Sequence, residues 1–163
     1  MTRTSAYRIL GIDPGLHTTG YGVVDFTGSR PAIVEAGAIK TRTRASMPER
    51  LRQIHLDVTE VLGDHEPDMM AVEKLYAHYA HPRTSILMGH ARGVILLAAQ
   101  NQGVPVCNVP ATKVKKNLTG NGHANKRQVQ IAVQHLFGLP EPPTPNDVSD
   151  AIAIALCAGR IAV

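Results

Sequence analysis

Four acidic residues have the types and positions that metal chemistry needs. Asp13 and Glu73 each end a short apolar run, where burying a carboxylate without a partner is costly. Asp147 and Asp150 are three positions apart in the first turn of a predicted helix, so they share one face of it. Four converging carboxylates would make a hard oxygen site, which suits Mg²⁺ or Mn²⁺.

Each of these acids also has a structural interpretation of its own. Asp13 begins an Asp-Pro-Gly turn, and Glu73 is compatible with an ordinary salt bridge. Acids in the first turn of a helix stabilise it through the helix dipole. Taken together these interpretations are insufficient, because residues 74–163 contain only one other acid, Glu141. Carboxylates beside a basic surface instead fit two-metal hydrolysis of a phosphodiester bond.

The cations are concentrated in one block of the chain. The 163 residues carry 17 Lys and Arg against 13 Asp and Glu, yet no acid occurs between Glu73 and Glu141, where eight cations lie. A solvated face could show this pattern by chance, but an acid-free block favours a surface for nucleic acid. Five of its cations flank a Gly-Asn-Gly loop that can contact phosphates. These predicted DNA-binding residues are Lys113, Lys115, Lys116, Lys126 and Arg127.

Tyr76, three positions beyond Glu73, has two interpretations. Its ring can stack on an unpaired base of the DNA, or it can pack beneath a loop. His78 and His81 have the spacing of a zinc-binding pair. No Cys or third soft ligand is near them, so we interpret both as loop histidines.

The elements that must position these residues follow from the hydropathy pattern. Strands are predicted over 7–13, 21–26 and 32–40, with tight connections that favour antiparallel pairing. A helix with a Ser46–Glu49 capping box follows, then a strand, a helix over 84–102, a strand and further helices. Strand–helix–strand crossovers require parallel neighbours. We therefore predict an α/β fold: a five-stranded mixed sheet with helices on both faces, as one domain across all 163 residues.

Composition excludes several classes of protein. Hydrophobic residues make up 44% of the chain, which is enough for a buried core. No apolar run approaches the roughly 20 residues of a membrane span, and no apolar stretch at the N-terminus suits a secretory signal, which predicts a cytoplasmic protein. Two cysteines, Cys107 and Cys157, are too few for a disulfide framework or a cysteine zinc site.

Several motifs resemble those of the RuvC-type Holliday junction resolvases, in the same order and over nearly the whole chain. They are Gly11-Ile12-Asp13-Pro14-Gly15, Thr19-Gly20-Tyr21-Gly22, Ala71-Val72-Glu73-Lys74-Leu75-Tyr76, Gly89-His90-Ala91-Arg92-Gly93 and Asn146-Asp147-Val148-Ser149-Asp150-Ala151. The resemblance implies a ribonuclease H-like fold. It also implies a homodimer that resolves four-way junctions in recombination and DNA repair by paired, symmetric, metal-dependent hydrolysis, leaving 5′-phosphate and 3′-hydroxyl ends.

The same resemblance implies roles for particular residues. Its metal-binding and catalytic acids correspond to Asp13, Glu73, Asp147 and Asp150, with Mg²⁺ or Mn²⁺ as the cofactor and two ions per subunit. Lys115 and Lys126 match lysines near the scissile strand, and Tyr76 matches an aromatic residue that reaches into the junction. The helix over 84–102 matches one used in dimerisation, and the RuvA/RuvB branch-migration complex is the expected further partner.

Three other functions stay open at this point. The Gly-Ile-Asp-Pro-Gly motif also resembles the phosphate-binding opening of sugar kinases and actin-like ATPases, but the chain is too short for their second domain. A DNA-binding module without catalysis would have lost a carboxylate, and none is lost. Another ribonuclease H-like nuclease, of the YqgF type, is the nearest rival. The Asp147–Asp150 pair behind a proline-rich linker favours the RuvC type.

Overall fold

The chain folds around one five-stranded sheet. A computed structural model describes residues 7–28, 30–76 and 80–162. The elements in them are β1 (Tyr7–Asp13), β2 (Thr18–Thr27), β3 (Arg30–Lys40), α1 (Met47–His65), β4 (Met69–Glu73), α2 (Pro82–Asn101), β5 (Val106–Val109), α3 (Ala111–Thr119), α4 (Lys126–Phe137) and α5 (Asn146–Ala162). Their order is the predicted one. None of the helices in the described residues is long and apolar enough to cross a membrane.

The sheet is mixed, as predicted, with the strand order β3-β2-β1-β4-β5. β1 pairs antiparallel with β2, which pairs antiparallel with β3, whereas β1–β4 and β4–β5 are parallel. Ile12 pairs with Val72 in the parallel ladder, so the next residue of each strand, Asp13 and Glu73, leaves the sheet at the same edge. β2 begins at Thr18, three residues before the predicted start, because Thr18 already pairs with Lys40 of β3.

Helices cover both faces of the sheet, as predicted. Consecutive residues of a strand point to opposite faces. Leu10 therefore packs in a core with α1 and α2, while Ile9 packs in a second core with α3, α4 and α5. Both side chains are completely buried. The capping box predicted at the start of α1 is also confirmed, with Ser46 and Glu49 bonded to each other's backbone.

α5 approaches the sheet unusually closely, and two glycines allow it to do so. A Cβ atom on Gly20 of β2 would lie 1.9 Å from the carbonyl oxygen of Asp147. A Cβ atom on Gly11 of β1 would lie 2.1 Å from the carbonyl oxygen of Ala151. Backbone atoms cannot yield to such contacts, so these positions require glycine. Val148, Ser149 and residues 151–159 of α5 are buried as a result of this packing.

Candidate active site

The four acids identified in the sequence line one cleft at the carboxyl edge of β1 and β4. Asp13 and Glu73 enter it from the ends of these two strands, and Asp147 and Asp150 enter it from the first turn of α5. The cleft has a volume of about 360 Å³. Residues that are up to 137 positions apart in the chain therefore share one site, which the parallel β1–β4 pairing and the docking of α5 create.

The first turn of α5 is held in place from the linker that precedes it. The side-chain amide of Gln130 donates to the carbonyl oxygen of Pro143 at 3.1 Å, and the Ser149 hydroxyl donates to the same oxygen at 3.0 Å. Both side chains are buried. Two buried hydrogen bonds to one carbonyl fix the path of the linker, which in turn fixes where Asp147 and Asp150 face the cleft.

The cleft holds more negative than positive charge, because its lining contains four acids and two lysines. Burial, followed by the charges of Asp150, Glu73 and Asp147, raises the pKa of Asp13 to about 8. Burial is also the main reason that the pKa of Asp150 rises to about 6, against the opposing effect of Lys126. The pKa of Glu73 is raised by burial and by Asp150, while Lys115 and Lys126 lower it.

The donor set fits a hard divalent cation. All four side chains offer carboxylate oxygens, the ligands that Mg²⁺ and Mn²⁺ prefer. A cation would offset the burial and the mutual repulsion that together raise the pKa values of Asp13, Glu73 and Asp150. In residues 7–28, 30–76 and 80–162, no group of three His, Cys, Asp or Glu side chains is already arranged to hold a metal ion. The carboxylates thus line a shared cleft without forming a closed set of ligands.

The structure divides the five predicted DNA-binding cations into two groups. Lys115 on α3 and Lys126 at the start of α4 line the carboxylate cleft. Asn125 places Lys126 there, because it caps α4 through a reciprocal pair of 2.9 Å hydrogen bonds with Gln128. The other three predicted cations lie on the same two helices with exposed side chains outside the lining of the cleft: Lys113, Lys116 and Arg127.

The loop after β4 contains the remaining sequence-predicted positions. Tyr76 is 52% exposed, and the Lys74 ammonium lies 5.6 Å from the centre of its ring. About half of the residue is therefore accessible to solvent. His78 lies outside the described residues, and His81 is exposed at the start of α2.

Sequence reasoning missed two contributions to the site. The glycines of β1 and β2 were recognised only as parts of motifs, although their spacing in the sheet is what admits α5. Arg92 was named only as one cation of the acid-free block and within the motif from Gly89 to Gly93, with no role of its own, whereas it lines a crevice with Asp13 and Glu73 at the side of the cleft. Its position about two turns into the predicted helix does not by itself indicate this contact.

Comparison with known proteins agrees with this geometry. The family model described as crossover junction endodeoxyribonuclease RuvC matches residues 9–158. A relative of that name from Rhodopirellula baltica is 54% identical over 158 residues, which cover 97% of this chain and 89% of the relative. The structure of T. thermophilus RuvC in complex with a Holliday junction substrate is similar at a TM-score of 0.88 and 36% identity, covering 96% of this chain and 94% of that one.

A more distant structure shows how far the fold extends. The yeast mitochondrial Holliday junction resolvase Ydc2 shares 13% identity at a TM-score of 0.65, covering 94% of this chain and 77% of that one. At that identity the match concerns the fold alone. Together with the T. thermophilus structure it confirms the ribonuclease H-like fold expected from the sequence motifs.

Proposed function

The chain belongs to the RuvC family of crossover junction endodeoxyribonucleases, and we propose that its four-carboxylate cleft is where a strand of the Holliday junction is hydrolysed. The enzyme is a metal-dependent nuclease that resolves such junctions in recombination and repair. Family membership decides among the functions that the sequence left open. The observation that supports the location of the site is the convergence of Asp13, Glu73, Asp147 and Asp150 beside two lysines.

The four carboxylates would hold Mg²⁺ or Mn²⁺, two ions per subunit. When bound, such ions activate water and stabilise the leaving oxygen of the phosphodiester. The carboxylates orient the ions, and Lys115 and Lys126 attract the scissile phosphate into the cleft. Apolar side chains complete the cleft and limit the access of bulk water: Met88, Val114, Val129 and Ile154. Cleavage would leave 5′-phosphate and 3′-hydroxyl ends.

The remaining predicted DNA-binding residues contact the arms and the centre of the junction. Lys113, Lys116 and Arg127 are exposed beside the cleft, where they can neutralise phosphates of the flanking duplex. The exposed ring of Tyr76 is free to stack on a base where strands exchange. The RuvA/RuvB branch-migration complex is proposed as a partner on family grounds, and the cytoplasmic location stays a prediction.

Replacing either cleft lysine is expected to reduce the salt dependence of junction binding. Lys115→Ala and Lys126→Ala each remove one phosphate contact, which lowers the slope of log K against log salt by about 1. The measurement is a salt titration of junction binding without divalent metal. Arg30→Ala is the matched control, because Arg30 is exposed at the opposite end of the sheet, and its slope should equal that of the wild type. An unchanged slope in both lysine variants would exclude them as phosphate contacts.

We also propose that two copies of the chain pair through α2. The structure separates the apolar residues of this helix, which periodicity could not do. Ala91 and Ile95 are fully buried in the chain's own core, whereas Ile86 and Leu97 are 62% and 51% exposed. Ile86, His90, Gly93 and Leu97 form an exposed stripe at helical spacing. An isologous dimer about a two-fold axis matches the near two-fold symmetry of a four-way junction.

Paired cleavage is therefore expected to require the dimer. With Mg²⁺ or Mn²⁺, the wild type should make paired nicks in a synthetic four-way junction, leave a matched duplex intact and sediment near twice 17.5 kDa. Leu97→Glu should yield folded monomers that have lost paired nicking. Leu136→Glu, at an exposed leucine on α4 across the sheet, serves as the control and should remain dimeric. Paired nicking by a monomeric wild type would contradict the symmetric mechanism.

A further inference from the structure

Arg92 connects three elements at the end of the sheet that carries Glu73. From α2, its Nε donates to the main-chain carbonyl oxygen of Glu73 at 3.3 Å. A terminal nitrogen of the same guanidinium donates to the side-chain oxygen of Asn108 on β5. Asn108 pairs with Val72 in the β4–β5 ladder, so the two acceptors belong to neighbouring strands. One side chain thus fastens α2 to the ends of both β4 and β5.

The backbone that carries this guanidinium is itself firmly placed. Ala91 precedes Arg92 and Ile95 follows it by one turn, and both are fully buried against the sheet. Arg92 also lines a small crevice together with Asp13, Glu73 and Met88. A rigid helix and a planar group with several donors are well suited to holding two acceptors at once.

The end of β4 is also held by its neighbour β5, because Glu73 pairs with Val109. Glu73 is the last residue of the strand, and the backbone amide of Lys74 donates to Val109 at 2.9 Å. The carboxylate of Glu73 shares the cleft with Asp13 and Asp150, so a restraint that suits a metal ligand must hold the backbone of Glu73 and leave its carboxylate oxygens available. Arg92 meets this need, because in the described residues its hydrogen bonds go to a carbonyl and an amide oxygen rather than to a carboxylate.

We propose that Arg92 is a positioning residue, which holds the end of β4 so that the Glu73 carboxylate faces Asp13 and Asp150 and can take up metal. The inference rests on the proposed function of the cleft. It assigns Arg92 to the geometry of the site rather than to the DNA-binding cations among which the charge pattern placed it. Partners that orient a metal ligand typically contribute about 10–100-fold in metal affinity or activity.

The test compares Arg92→Ala with Asn108→Ala, with the double variant, and with Arg52→Ala as the control at an exposed arginine of α1. Arg92→Ala should cleave junctions about 10–100-fold more slowly, or need a correspondingly higher Mn²⁺ concentration. Asn108→Ala removes one of two anchors and should show a smaller loss. The double variant should be no worse than Arg92→Ala, because both changes break the same bridge.

Two further measurements separate positioning from DNA contact and from general stability. Junction affinity without metal, and its salt slope, should be unchanged in Arg92→Ala, while the Mn²⁺ concentration that raises the melting temperature in the absence of DNA should increase about 10-fold or more. Arg92→Lys keeps a hydrogen-bonding cation that can reach one of the two acceptors, so this variant should retain part of the cleavage rate and metal affinity that Arg92→Ala loses. If Arg92→Ala does not fold, the test can still be made with Arg92→Lys and with Asn108→Ala, because Asn108 is exposed in the wild type.

Several outcomes would overturn the inference. A weaker, less salt-dependent junction affinity in Arg92→Ala would make Arg92 a phosphate contact. Wild-type cleavage and metal response in Arg92→Ala, or in both Arg92→Lys and Asn108→Ala, would show that the bridge does not position Glu73. If the wild type itself showed neither metal-dependent melting nor cleavage, the proposed function of the cleft would fail instead, so the two failures are distinguishable.

Discussion

Asp13→Asn is expected to remove junction cleavage while leaving junction binding intact. Asp13 is buried beside the other three acids: burial, followed by the charges of Asp150, Glu73 and Asp147, raises its pKa to about 8. The substitution removes a charged metal ligand but keeps the size of the side chain. Because the four carboxylates act as a unit, loss of one should remove most of the catalytic activity of the set. We expect a loss of about a thousandfold or more in the single-turnover cleavage rate. Binding without metal should stay near wild type, because it depends on the cations.

The same variant should be more stable than the wild type in the absence of metal. Its melting temperature therefore also shows whether a loss of cleavage is caused by unfolding. The pKa of Asp13 is about 8 in the folded chain and near 3.8 in the unfolded chain. At a pH between about 3.8 and 8, Asp13 keeps its proton in the folded state and releases it in the unfolded state. The free energy of unfolding of the metal-free wild type therefore falls as the pH rises, by up to about 1.4 kcal/mol per pH unit.

Asparagine has no proton to lose, so this pH-dependent destabilisation disappears. Asp13→Asn should melt several degrees above the wild type at pH 8 and at about the same temperature at pH 4, as measured by thermal denaturation in a chelator. Cleavage near the wild-type rate would refute the role of Asp13 as a metal ligand. An equal melting difference at both pH values would show that Asp13 is not buried among like charges.

Gly20→Ala is expected to damage both the fold and the site, although it adds a single methyl group. Its Cβ would lie 1.9 Å from the Asp147 carbonyl oxygen and 2.9 Å from the Asp147 Cβ. The start of α5 must move away from β2, at a cost at or above the upper end of the roughly 1–3 kcal/mol typical of overpacking. For a chain of this size that corresponds to a loss of roughly 6–12 °C in melting temperature.

Cleavage should fall further than stability alone explains. Displacing Asp147 by about 1 Å from its productive position can cost a hundredfold in rate. The matched control is Gly63→Ala, because Gly63 lies within α1 and a Cβ there would meet nothing within 4 Å. Alanine is the better helix former, so this variant should gain about 0.5–1 kcal/mol and cleave normally. Wild-type melting and cleavage in Gly20→Ala would mean that α5 does not depend on this close approach.

Much of the fold is determined by local sequence patterns. Strand alternation and helical spacing depend on neighbouring residues, so the element order was predictable, and the Ser46–Glu49 capping box located the start of α1. The mixed sheet followed from connection lengths, because tight turns join antiparallel strands and helical crossovers join parallel ones. The carboxylates could be identified only as a set, because each has a structural interpretation of its own, while residues 74–163 contain just one acid outside the set, Glu141.

Only the tertiary structure decided how these parts meet. Periodicity shows that α2 has apolar residues, but whether Ile95 is buried and Leu97 exposed depends on where the sheet lies. Charge patterning groups Lys113 with Lys115, yet of these two only Lys115 lines the cleft, because residues two positions apart on a helix point in different directions. The close contact of Gly20 with Asp147 and the bridge from Arg92 to Glu73 join residues far apart in the chain. Such contacts arise from packing, which no local pattern records.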